Sequence, residues 1–329
     1  MSFISPAAPS TNEAIATINL SQGTDEQNAA KIDASCRSLG FYAITGHGIP
    51  QGLIDDVLKA SHCFFAMSAG EKNAIHISKS HPHQRGYAPF FEETIDPSGQ
   101  SEFKEAFDMG RPLSVDDPDV VAGIPFHAPN VWPQRLPSFR QALETYHAHV
   151  LTLSERLVKL TALGLNLPAD YFEPHMNKAI ANLRLLRYPP EQTSTKFDPS
   201  RTSVTGVGPH TDYGFLTILA DDGVPGLEIQ NKDGAWIAVP PVSGGFIVNT
   251  GELLQRWTNN RYQATVHKVS NRSGQDRYSI PFFLNTNFRA NVAPVPTCLE
   301  NGSGSLFEPV SGGVYLAERF NQTFAYRSV

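Results

Sequence analysis

Cysteine is scarce in this sequence, and the few cysteines present show no functional spacing. The 329 residues include 3 cysteines, Cys36, Cys63 and Cys298, and none of them belongs to a CxxC pair. An odd number without such a pair indicates neither a disulfide framework nor a cysteine metal site. We therefore interpret them as reduced, mainly structural thiols and expect a cytoplasmic protein.

Clustered positive charge and long apolar runs are also lacking. The chain has 26 Lys and Arg against 32 Asp and Glu, a net charge of −6, without a basic block. Nucleic-acid binding needs Lys and Arg gathered on one face, so nucleic acid is not an expected partner. No apolar run approaches the roughly 18 residues that cross a bilayer, and residues 1–22 do not resemble a signal peptide. We therefore expect no membrane partner. The sequence does not indicate an oligomeric state, and a monomer is the default expectation.

Helical patterns dominate the first half of the chain. Residues 26–39 and 51–66 show helical spacing of apolar side chains, and residues 40–45 between them read as a short buried strand. The clearest helix is predicted at residues 139–164, where apolar side chains recur at steps of three and four. Residues 76–102 lack such periodicity and are predicted to form a long, irregular loop.

After residue 180, short apolar runs alternate with Gly, Pro, Asn and Asp. Many short strands at regular spacing are typical of a β-sandwich or jelly roll. Strands are predicted at residues 183–188, 215–220, 227–230, 236–239, 245–249, 264–269 and 278–284, and a closing helix at 312–326. We therefore predict an α+β protein with a mainly β core. A mainly helical region (1–178) and a jelly-roll domain (179–329) would form one compact unit.

Two histidines and one aspartate have the spacing of a metal site. His210 and Asp212 are two residues apart, which on a strand places both side chains on the same face. His267 follows Asp212 by 55 residues in another strand-like run, and it can face the first two if the strands pair. Two imidazoles and one carboxylate form the facial triad of non-haem iron(II) oxygenases, which leaves coordination positions open. The alternative is a capped turn in which hydrogen bonds satisfy His210.

Arg277 and Ser279 form a second candidate site on one face of a predicted strand. Arg277 lies ten residues after His267. A guanidinium can bind a carboxylate through two parallel hydrogen bonds, and a hydroxyl adds a third. The apolar residues 281–283 next to the pair indicate partial burial, where an unpaired Arg is costly and a bound anion is favoured. The alternative is an exposed strand Arg in a salt bridge.

Further segments accompany these motifs along nearly the whole chain. They are residues 39–49, 104–108, 130–133, 185–190, 210–214, 249–259, 264–269 and 277–283. Taken together and in this order, they resemble the isopenicillin N synthase-like family of non-haem iron(II)- and 2-oxoglutarate-dependent oxygenases. Each segment alone is weak, whereas the set is very specific.

The resemblance implies a fold, a cofactor and a reaction. The fold is a distorted double-stranded β-helix (jelly roll) with N-terminal helices, a long support helix and a C-terminal helix. Fe(II) would bind to His210, Asp212 and His267, and Arg277 and Ser279 would hold the far carboxylate of 2-oxoglutarate. With O2, such an enzyme hydroxylates, desaturates or cyclises a small organic molecule and releases succinate and CO2.

The predicted cosubstrate and substrate contacts extend beyond these motifs. The family often places a tyrosine that faces cosubstrate or substrate at the position of Tyr188. Candidate substrate-pocket residues come from the flanks of the site, the irregular loop and the closing helix. They are Tyr213, Phe283, Arg85, Arg187 and Phe320, with Tyr87 and Phe324 as further members. Core or rim packing is the alternative for each. Several arginines near the mouth would suit an acidic or amino-acid-like substrate.

Three other functions are compatible with parts of this pattern. Some family members keep the Arg-x-Ser pair without using 2-oxoglutarate, so an iron-dependent oxidase is the first alternative. The second is a non-catalytic jelly-roll protein that binds a carboxylate, which would have no need for open metal positions. The third is a zinc hydrolase with a metal-bound water, which the Arg-x-Ser pair disfavours.

Overall fold

Two β-sheets form the centre of the fold. The computed structural model describes residues 14–95, 102–191, 206–299 and 304–323. In these ranges the strands are β1 (Ala16–Asn19), β2 (Phe41–Thr45), β3 (Gly86–Ala88), β4 (Glu105–Gly110), β5 (Ala181–Tyr188), β6 (Val207–His210), β7 (Leu216–Asp221), β8 (Leu227–Gln230), β9 (Trp236–Val239), β10 (Phe246–Thr250), β11 (His267–Val269), β12 (Arg277–Leu284), β13 (Asn291–Val292) and β14 (Val310–Ser311). The larger sheet has the order β1-β2-β10-β7-β12-β5-β4-β3 and the smaller β6-β11-β8-β9, while β13 and β14 form a separate pair.

The two sheets share an apolar cluster, so they face one another. Phe41 and Leu186 of the larger sheet belong to this cluster together with Ile229 and Val269 of the smaller sheet. The core is therefore mainly sheet, as predicted. Within the part of the chain that the structure describes, the strand pairings do not close into a barrel.

Helices flank this core. They are α1 (Asp25–Ser38), α2 (Gln51–Phe65), α3 (Ala69–Asn73), α4 (Pro118–Val121), α5 (Pro137–Gly164), α6 (Glu173–Met176), α7 (Glu252–Trp257) and α8 (Gly312–Thr323). Thr24 and Ser68 begin α1 and α3 as capping boxes, in which each side chain accepts a hydrogen bond from the backbone N–H three residues later. Residues 324–326 of the predicted closing helix lie outside the described residues.

The long helix α5 supports the larger sheet from the side away from the smaller one. Phe139 and Leu157 on its apolar face are buried in the main core cluster with Phe282 of β12. The Nε2 atom of His147 lies 3.2 Å from the carbonyl oxygen of Ala181, the first residue of β5. The helix thereby holds the two strands that carry much of the cavity wall.

Strand β12 presents different chemistry on its two faces. Tyr278 and Phe282 belong to the main core cluster, whereas Arg277, Ser279 and Phe283 line a cavity between the sheets. Side chains alternate along a strand, so the odd-numbered positions share the cavity face. The strand thus joins the core to the candidate site.

The first half of the chain contributes more β structure than its sequence predicts. β1, β2, β3 and β4 all join the larger sheet, in which β2 pairs with β10 and β4 with β5 of the second half. In the predicted loop at 76–102, residues 86–88 form β3 and residues 77–80 a 3-10 turn, while residues 96–101 lie outside the description. The strand predicted at 264–269 begins only at His267. A division of the chain at residue 178 would therefore separate strands that belong to the same larger sheet.

No helix in the described ranges is long and apolar enough to cross a membrane. Cys36 and Cys298 are buried and Cys63 is exposed. All three lie within the described ranges, and they form no disulfide there.

Candidate active site

Strand pairing brings the predicted metal ligands together. β6 and β11 are antiparallel neighbours, and His210 is the register partner of His267. Asp212 lies two residues beyond the end of β6. Its Oδ1 atom is 3.9 Å from Nε2 of His210 and 3.8 Å from Nε2 of His267. One ligand atom from each residue lies within 4.8 Å of the others, so the three side chains converge on one point.

Backbone hydrogen bonds determine which nitrogen of each histidine faces this point. Nδ1 of His210 lies 2.8 Å from the carbonyl oxygen of Gly208, and Nδ1 of His267 lies 3.1 Å from that of Thr265. A carbonyl only accepts, so Nδ1 carries the proton in both rings and donates it. Nε2 of each ring therefore faces the shared point, where it can donate an electron pair to a metal.

Two polar side chains orient the carboxylate in the same way. The Oδ2 atom of Asp212 accepts hydrogen bonds from the Thr217 hydroxyl at 2.5 Å and from the Asn249 amide at 2.7 Å. Thr217 belongs to β7 and Asn249 to β10, so the larger sheet holds the carboxylate from behind. Oδ1 is left directed at the two imidazoles.

The electrostatics suit a divalent cation. Burial and the neighbouring His267 lower the pKa of His210 to about 3, which keeps its ring neutral. Burial alone would raise the pKa of Asp212, but the two histidines and the hydrogen bonds from Asn249 and Thr217 hold it below its usual range. Two neutral imidazoles and one ionised carboxylate are the donor set of mononuclear non-haem iron(II) sites. The residues present therefore fit Fe(II).

A buried cation lies in the same cavity. The side chain of Arg277 is only 1% exposed, and its Nε donates to the carbonyl oxygen of Val224 at 3.0 Å. Its Nη1 atom is buried without a hydrogen-bond partner among the described residues. The guanidinium lies 5.3 Å from the ring centre of Tyr188, and Ser279 is buried beside it on β12. An unsatisfied buried guanidinium N–H is costly unless an anion accepts from it, so the site fits a carboxylate.

Glycine makes room for this arginine. A Cβ atom at Gly226 would lie 3.1 Å from Cδ of Arg277 and only 2.9 Å from the carbonyl oxygen of Ser270. A side chain at this position would therefore displace backbone or push the guanidinium from its position.

The cavity itself measures about 130 Å³. It contains the three candidate metal ligands, Arg277, Ser279 and Tyr188, so the candidate metal and carboxylate sites open into one space. It also has an apolar wall formed by Phe126, Ile180, Leu316 and Phe320, with Tyr213 packed against it.

A buried group of charged side chains, here called the ion cluster, also contributes to the cavity lining. Its members are Glu93, Glu102, Lys104, Asp108 and Arg184. Arg184 donates to Glu93 at 2.6 Å and to Asp108 at 2.9 Å, and Lys104 donates to Glu93 at 2.9 Å and also to Glu102. All members except Glu102 line the cavity. The lining members carry two positive and two negative formal charges, so this wall is polar without a net charge.

The predicted pocket residues divide into two groups. Tyr213, Phe283 and Phe320 line the cavity. Arg85 and Arg187 are not among the described residues that line it. Tyr87 is likewise outside the cavity lining, with its hydroxyl on Glu105 at 2.7 Å, and Phe324 lies outside the described residues.

The two arginines have other partners. Arg85 is buried and donates to the backbone carbonyls of His83 and Phe126 at 2.7 and 2.8 Å. Arg187 pairs with Glu105 and Asp276, each at 2.8 Å. On β5, the arginine that lines the cavity is Arg184.

Strand alternation explains this difference. Tyr188 and Arg187 are adjacent on β5, so their side chains point to opposite faces. Arg184 lies four residues before Tyr188 and shares its face. Strand alternation could therefore have predicted from the sequence that Arg184, and not Arg187, shares a face with Tyr188. The acidic partners of Arg184, Glu93 and Asp108, come from distant segments, and no local motif connects them to it.

Two family models match the chain. The model of the 2OG-Fe(II) oxygenase superfamily matches residues 179–286. The model described as non-haem dioxygenase in morphine synthesis N-terminal matches residues 15–135. The first match contains the converging histidines and aspartate as well as Arg277, and the two matches together extend over both halves of the chain.

Relatives of known class match over most of their length. A 2-oxoglutarate-Fe(II) type oxidoreductase of Emericella nidulans is 35% identical over 298 residues, 88% of this chain and 84% of the relative. A homoarginine-6-hydroxylase of Oryza sativa subsp. japonica is 34% identical over 296 residues, 89% of this chain and 88% of the relative.

Solved structures agree with the jelly-roll prediction. A putative 2OG-Fe(II) oxygenase family protein from Caulobacter crescentus superimposes with a TM-score of 0.81 at 28% identity, covering 94% of this chain and 99% of that chain. A full-length Neurospora crassa protein, solved in complex with α-ketoglutarate and thymine, gives 0.80 at 25% identity, covering 94% of this chain and 98% of that chain.

These matches favour the predicted family over the alternatives drawn from the sequence. The family uses Fe(II), 2-oxoglutarate and O2, and the converging His-Asp-His group is present in this chain. The chain belongs to the 2OG-Fe(II) oxygenase superfamily and is a 2-oxoglutarate-dependent dioxygenase that acts on a small molecule.

Proposed function

We propose that His210, Asp212 and His267 hold the Fe(II) of this dioxygenase. Three observations support this assignment: their ligand atoms converge, both histidines direct Nε2 at the shared point, and Asn249 and Thr217 orient the carboxylate. The convergence carries the assignment, because it satisfies the ligand requirement of Fe(II) and leaves the cavity side open for cosubstrate and O2. The hydrogen bonds behind the ligands keep their orientation when the metal leaves.

Arg277, with Ser279 and Tyr188, would bind the far carboxylate of 2-oxoglutarate. The unpartnered Nη1 of Arg277 supports this role, because the guanidinium is buried and no carboxylate among the described residues accepts from that atom. Burial raises the pKa of Tyr188, so its hydroxyl stays protonated and can donate. The carboxylate would thus lie between a fixed cation and two hydroxyl groups.

The residues of the chain supply position, charge balance and shelter. When bound, Fe(II) supplies the activation of O2, with 2-oxoglutarate as the reductant that leaves as succinate and CO2. Arg277 neutralises and orients the cosubstrate. Apolar side chains such as Leu316 and Phe320 exclude water from the space in which the substrate is oxidised.

We propose a small, compact substrate with one polar edge and one apolar face. The ion cluster would meet the polar edge, and Phe126, Phe320 and Tyr213 the apolar face. Phe283 would complete the wall next to the metal site. Lys104 and Arg184 of the ion cluster are paired with carboxylates, so the cluster favours a neutral or zwitterionic substrate over an acidic one. Thymine, present in the Neurospora crassa structure, is a molecule of this kind.

The site assignment can be tested by anaerobic titration. Fe(II) followed by 2-oxoglutarate should produce a visible charge-transfer band in the wild-type protein. His210→Ala should abolish metal binding, whereas Arg277→Met should bind Fe(II) and fail to give the band. Fe(II) binding without the band in the wild type would favour an oxidase that does not use 2-oxoglutarate. No Fe(II) binding at all would leave a carboxylate-binding protein.

We also propose a monomer that works in the cytoplasm. The cavity walls described above all come from one chain, so a single copy provides metal ligands, carboxylate site and ion cluster. The buried thiol of Cys36 is compatible with a reducing compartment. Sedimentation equilibrium at micromolar concentration should give the mass of one chain, and a mass twice as large would contradict the proposal.

A further inference from the structure

Glu252, the first residue of α7, lies against the segment that carries two of the candidate metal ligands. Its backbone N–H donates to the carbonyl oxygen of Asp212 at 2.8 Å. The next N–H, of Leu253, donates to the carbonyl oxygen of Tyr213 at 3.2 Å. The start of α7 thus fixes the backbone of the segment immediately after the strand β6.

The side chain of Glu252 contacts this segment a second time. Its Oε1 accepts a hydrogen bond of 2.5 Å from the hydroxyl of Thr211. Thr211 lies between His210 and Asp212, so a constraint on it is transmitted to both neighbours through one peptide unit each. Neither the proposed binding of iron nor that of 2-oxoglutarate uses the Glu252 carboxylate directly.

The same carboxylate also holds the C-terminal helix. Nη2 of Arg319 donates to Oε1 of Glu252 at 3.0 Å, and the hydroxyl of Tyr315 donates to Oε2. Tyr315 and Arg319 are four residues apart on α8 and therefore share one helix face. Glu252 joins three donors from two separate parts of the chain.

This helix forms part of the cavity wall. Leu316, Phe320 and Thr323 of α8 all line the cavity. Thr323 and Tyr213 share a hydrogen bond of 2.7 Å, and the Arg319 guanidinium lies 4.6 Å from the ring centre of Tyr213. When α8 packs against the segment that carries the metal ligands, it therefore also forms one wall of the cavity.

An ordinary ion pair would not explain this arrangement. The side chain of Arg319 is 33% exposed, and a pair of that kind is worth little for stability. The Glu252 carboxylate is more deeply placed, at 15% exposed, and it also accepts from Thr211 and Tyr315. The Glu252 carboxylate therefore links the position of α8 to the position of the segment that carries His210 and Asp212.

We propose that Glu252 is a positioning residue that couples docking of α8 to the metal-binding geometry of His210 and Asp212. The inference rests on the proposed function, since it requires these residues to bind the metal. Coupling is reciprocal: binding of metal and cosubstrate should strengthen the docking of α8, and loss of docking should weaken metal binding.

Metal affinity tests the first half of this coupling. Anaerobic titration with Co(II), followed by the visible ligand-field absorption, reports affinity without turnover. Thr211→Val, which removes the hydroxyl at similar volume, and Glu252→Gln should each weaken Co(II) binding roughly tenfold, while Thr211→Ser should restore it. Glu318→Gln, on the exposed side of α8, is the matched control and should bind as the wild type does. Thermal melting of the metal-free proteins identifies variants that fail to fold.

Hydrogen exchange tests the second half. Co(II) with 2-oxoglutarate should slow exchange of the α8 amides in the wild type and in Glu318→Gln, and should not do so in Thr211→Val. Folded Thr211→Val and Glu252→Gln proteins with wild-type Co(II) affinity and wild-type α8 protection would overturn the proposal. A wild-type protein that binds no Co(II) would instead overturn the metal assignment on which it rests.

Discussion

At the scale of single residues, Arg277 is stabilised incompletely in the protein without cosubstrate. A buried guanidinium with an N–H unsatisfied by any described residue has lost its hydration without a full replacement. The desolvation cost is then already met before the ligand arrives, and the carboxylate of 2-oxoglutarate gains the full strength of a charge-assisted pair. Arg277 therefore strengthens the binding of 2-oxoglutarate and lowers the stability of the protein without ligand.

Arg277→Met should therefore separate the two properties. We expect 2-oxoglutarate affinity to fall by about 2 kcal/mol or more, which is roughly 30-fold or more. The free energy of unfolding without ligand should stay unchanged or rise, because methionine fills similar space without a buried charge. Equilibrium dialysis and urea denaturation measure these quantities. Arg187→Met, on the opposite strand face, should leave 2-oxoglutarate affinity at the wild-type value, and a loss there would contradict the assignment.

The ion cluster offers a second prediction for single residues. Arg184→Met removes the main partner of the buried Asp108 carboxylate, whose remaining described hydrogen bond comes from the amide of Asn182. We expect a loss of about 3 to 5 kcal/mol in the free energy of unfolding, since one buried charge is left without its counter-ion. Urea denaturation measures it.

A double variant provides the check. If the loss comes from the orphaned carboxylate, Asp108→Asn added to Arg184→Met should recover part of it. An additive loss in the double variant would contradict this explanation. Arg187→Met should cost less than Arg184→Met, because Glu105 keeps Lys72 at 2.6 Å and Tyr87 at 2.7 Å.

The sequence predicts the converging residues better than the residues around them. His210 and Asp212 are spaced by two, as are Arg277 and Ser279, so strand alternation predicts that the members of each pair share a face. The partners of Arg184 are 91 and 76 residues away along the chain, and no local pattern connects them.

At the scale of elements, β4 shows why some strands escape prediction. All six of its residues are buried, including the charged Glu105 and Asp108. Polarity normally indicates the exposed face of a strand, but here ion pairs allow charges inside. The alternation of polar and apolar side chains therefore does not reveal the strand, and the sequence does not predict β4. The helix α5, predicted at 139–164 and observed at Pro137–Gly164, shows the opposite case, because one side of it is exposed.

The contact between α5 and β5 should make stability depend on pH. Burial lowers the pKa of His147 from its usual value near 6.5 to about 4. The unfolded chain therefore binds this proton more readily than the folded protein, so stability is full above pH 6.5 and is lost as the pH falls toward 4. Between pH 7 and pH 5 the loss from this residue should be about 2 kcal/mol.

His147→Gln tests this contribution. Urea denaturation at pH 7 and pH 5 should show a smaller pH-dependent loss in the variant than in the wild type, even if the variant is less stable overall. His149→Gln, on the exposed side of the same helix, should keep the wild-type dependence. An unchanged dependence in His147→Gln would show that other groups are responsible.

At the scale of the whole molecule, both halves of the chain build one structure. The larger sheet combines strands of both halves, since β2 of the first half pairs with β10 of the second and β4 pairs with β5. The main core cluster extends from Ile18 to Cys298. The sequence assigns the first half too little β structure, because β3 and β4 are not predicted.

A fragment should therefore not fold alone. Residues 179–329 would expose the edges of β10 and β5 and the apolar surface beneath α5, so we expect neither a cooperative urea transition nor Co(II) binding. The full chain should show a single transition by fluorescence and circular dichroism. Mixing the fragment with residues 1–178 is the control, since recovery of metal binding on mixing would show that the missing half supplies the structure. A folded, metal-binding fragment alone would contradict this prediction.

The two-faced strand β12 also limits how this protein can change over evolutionary time. Its odd-numbered positions carry the cavity chemistry and its even-numbered positions the core, so insertion of one residue would exchange the two sets. Point substitutions at Phe283 can reshape the cavity while the core stays intact. We therefore expect relatives with other substrates to differ in residue type along this strand and to differ in length in the loops that flank it.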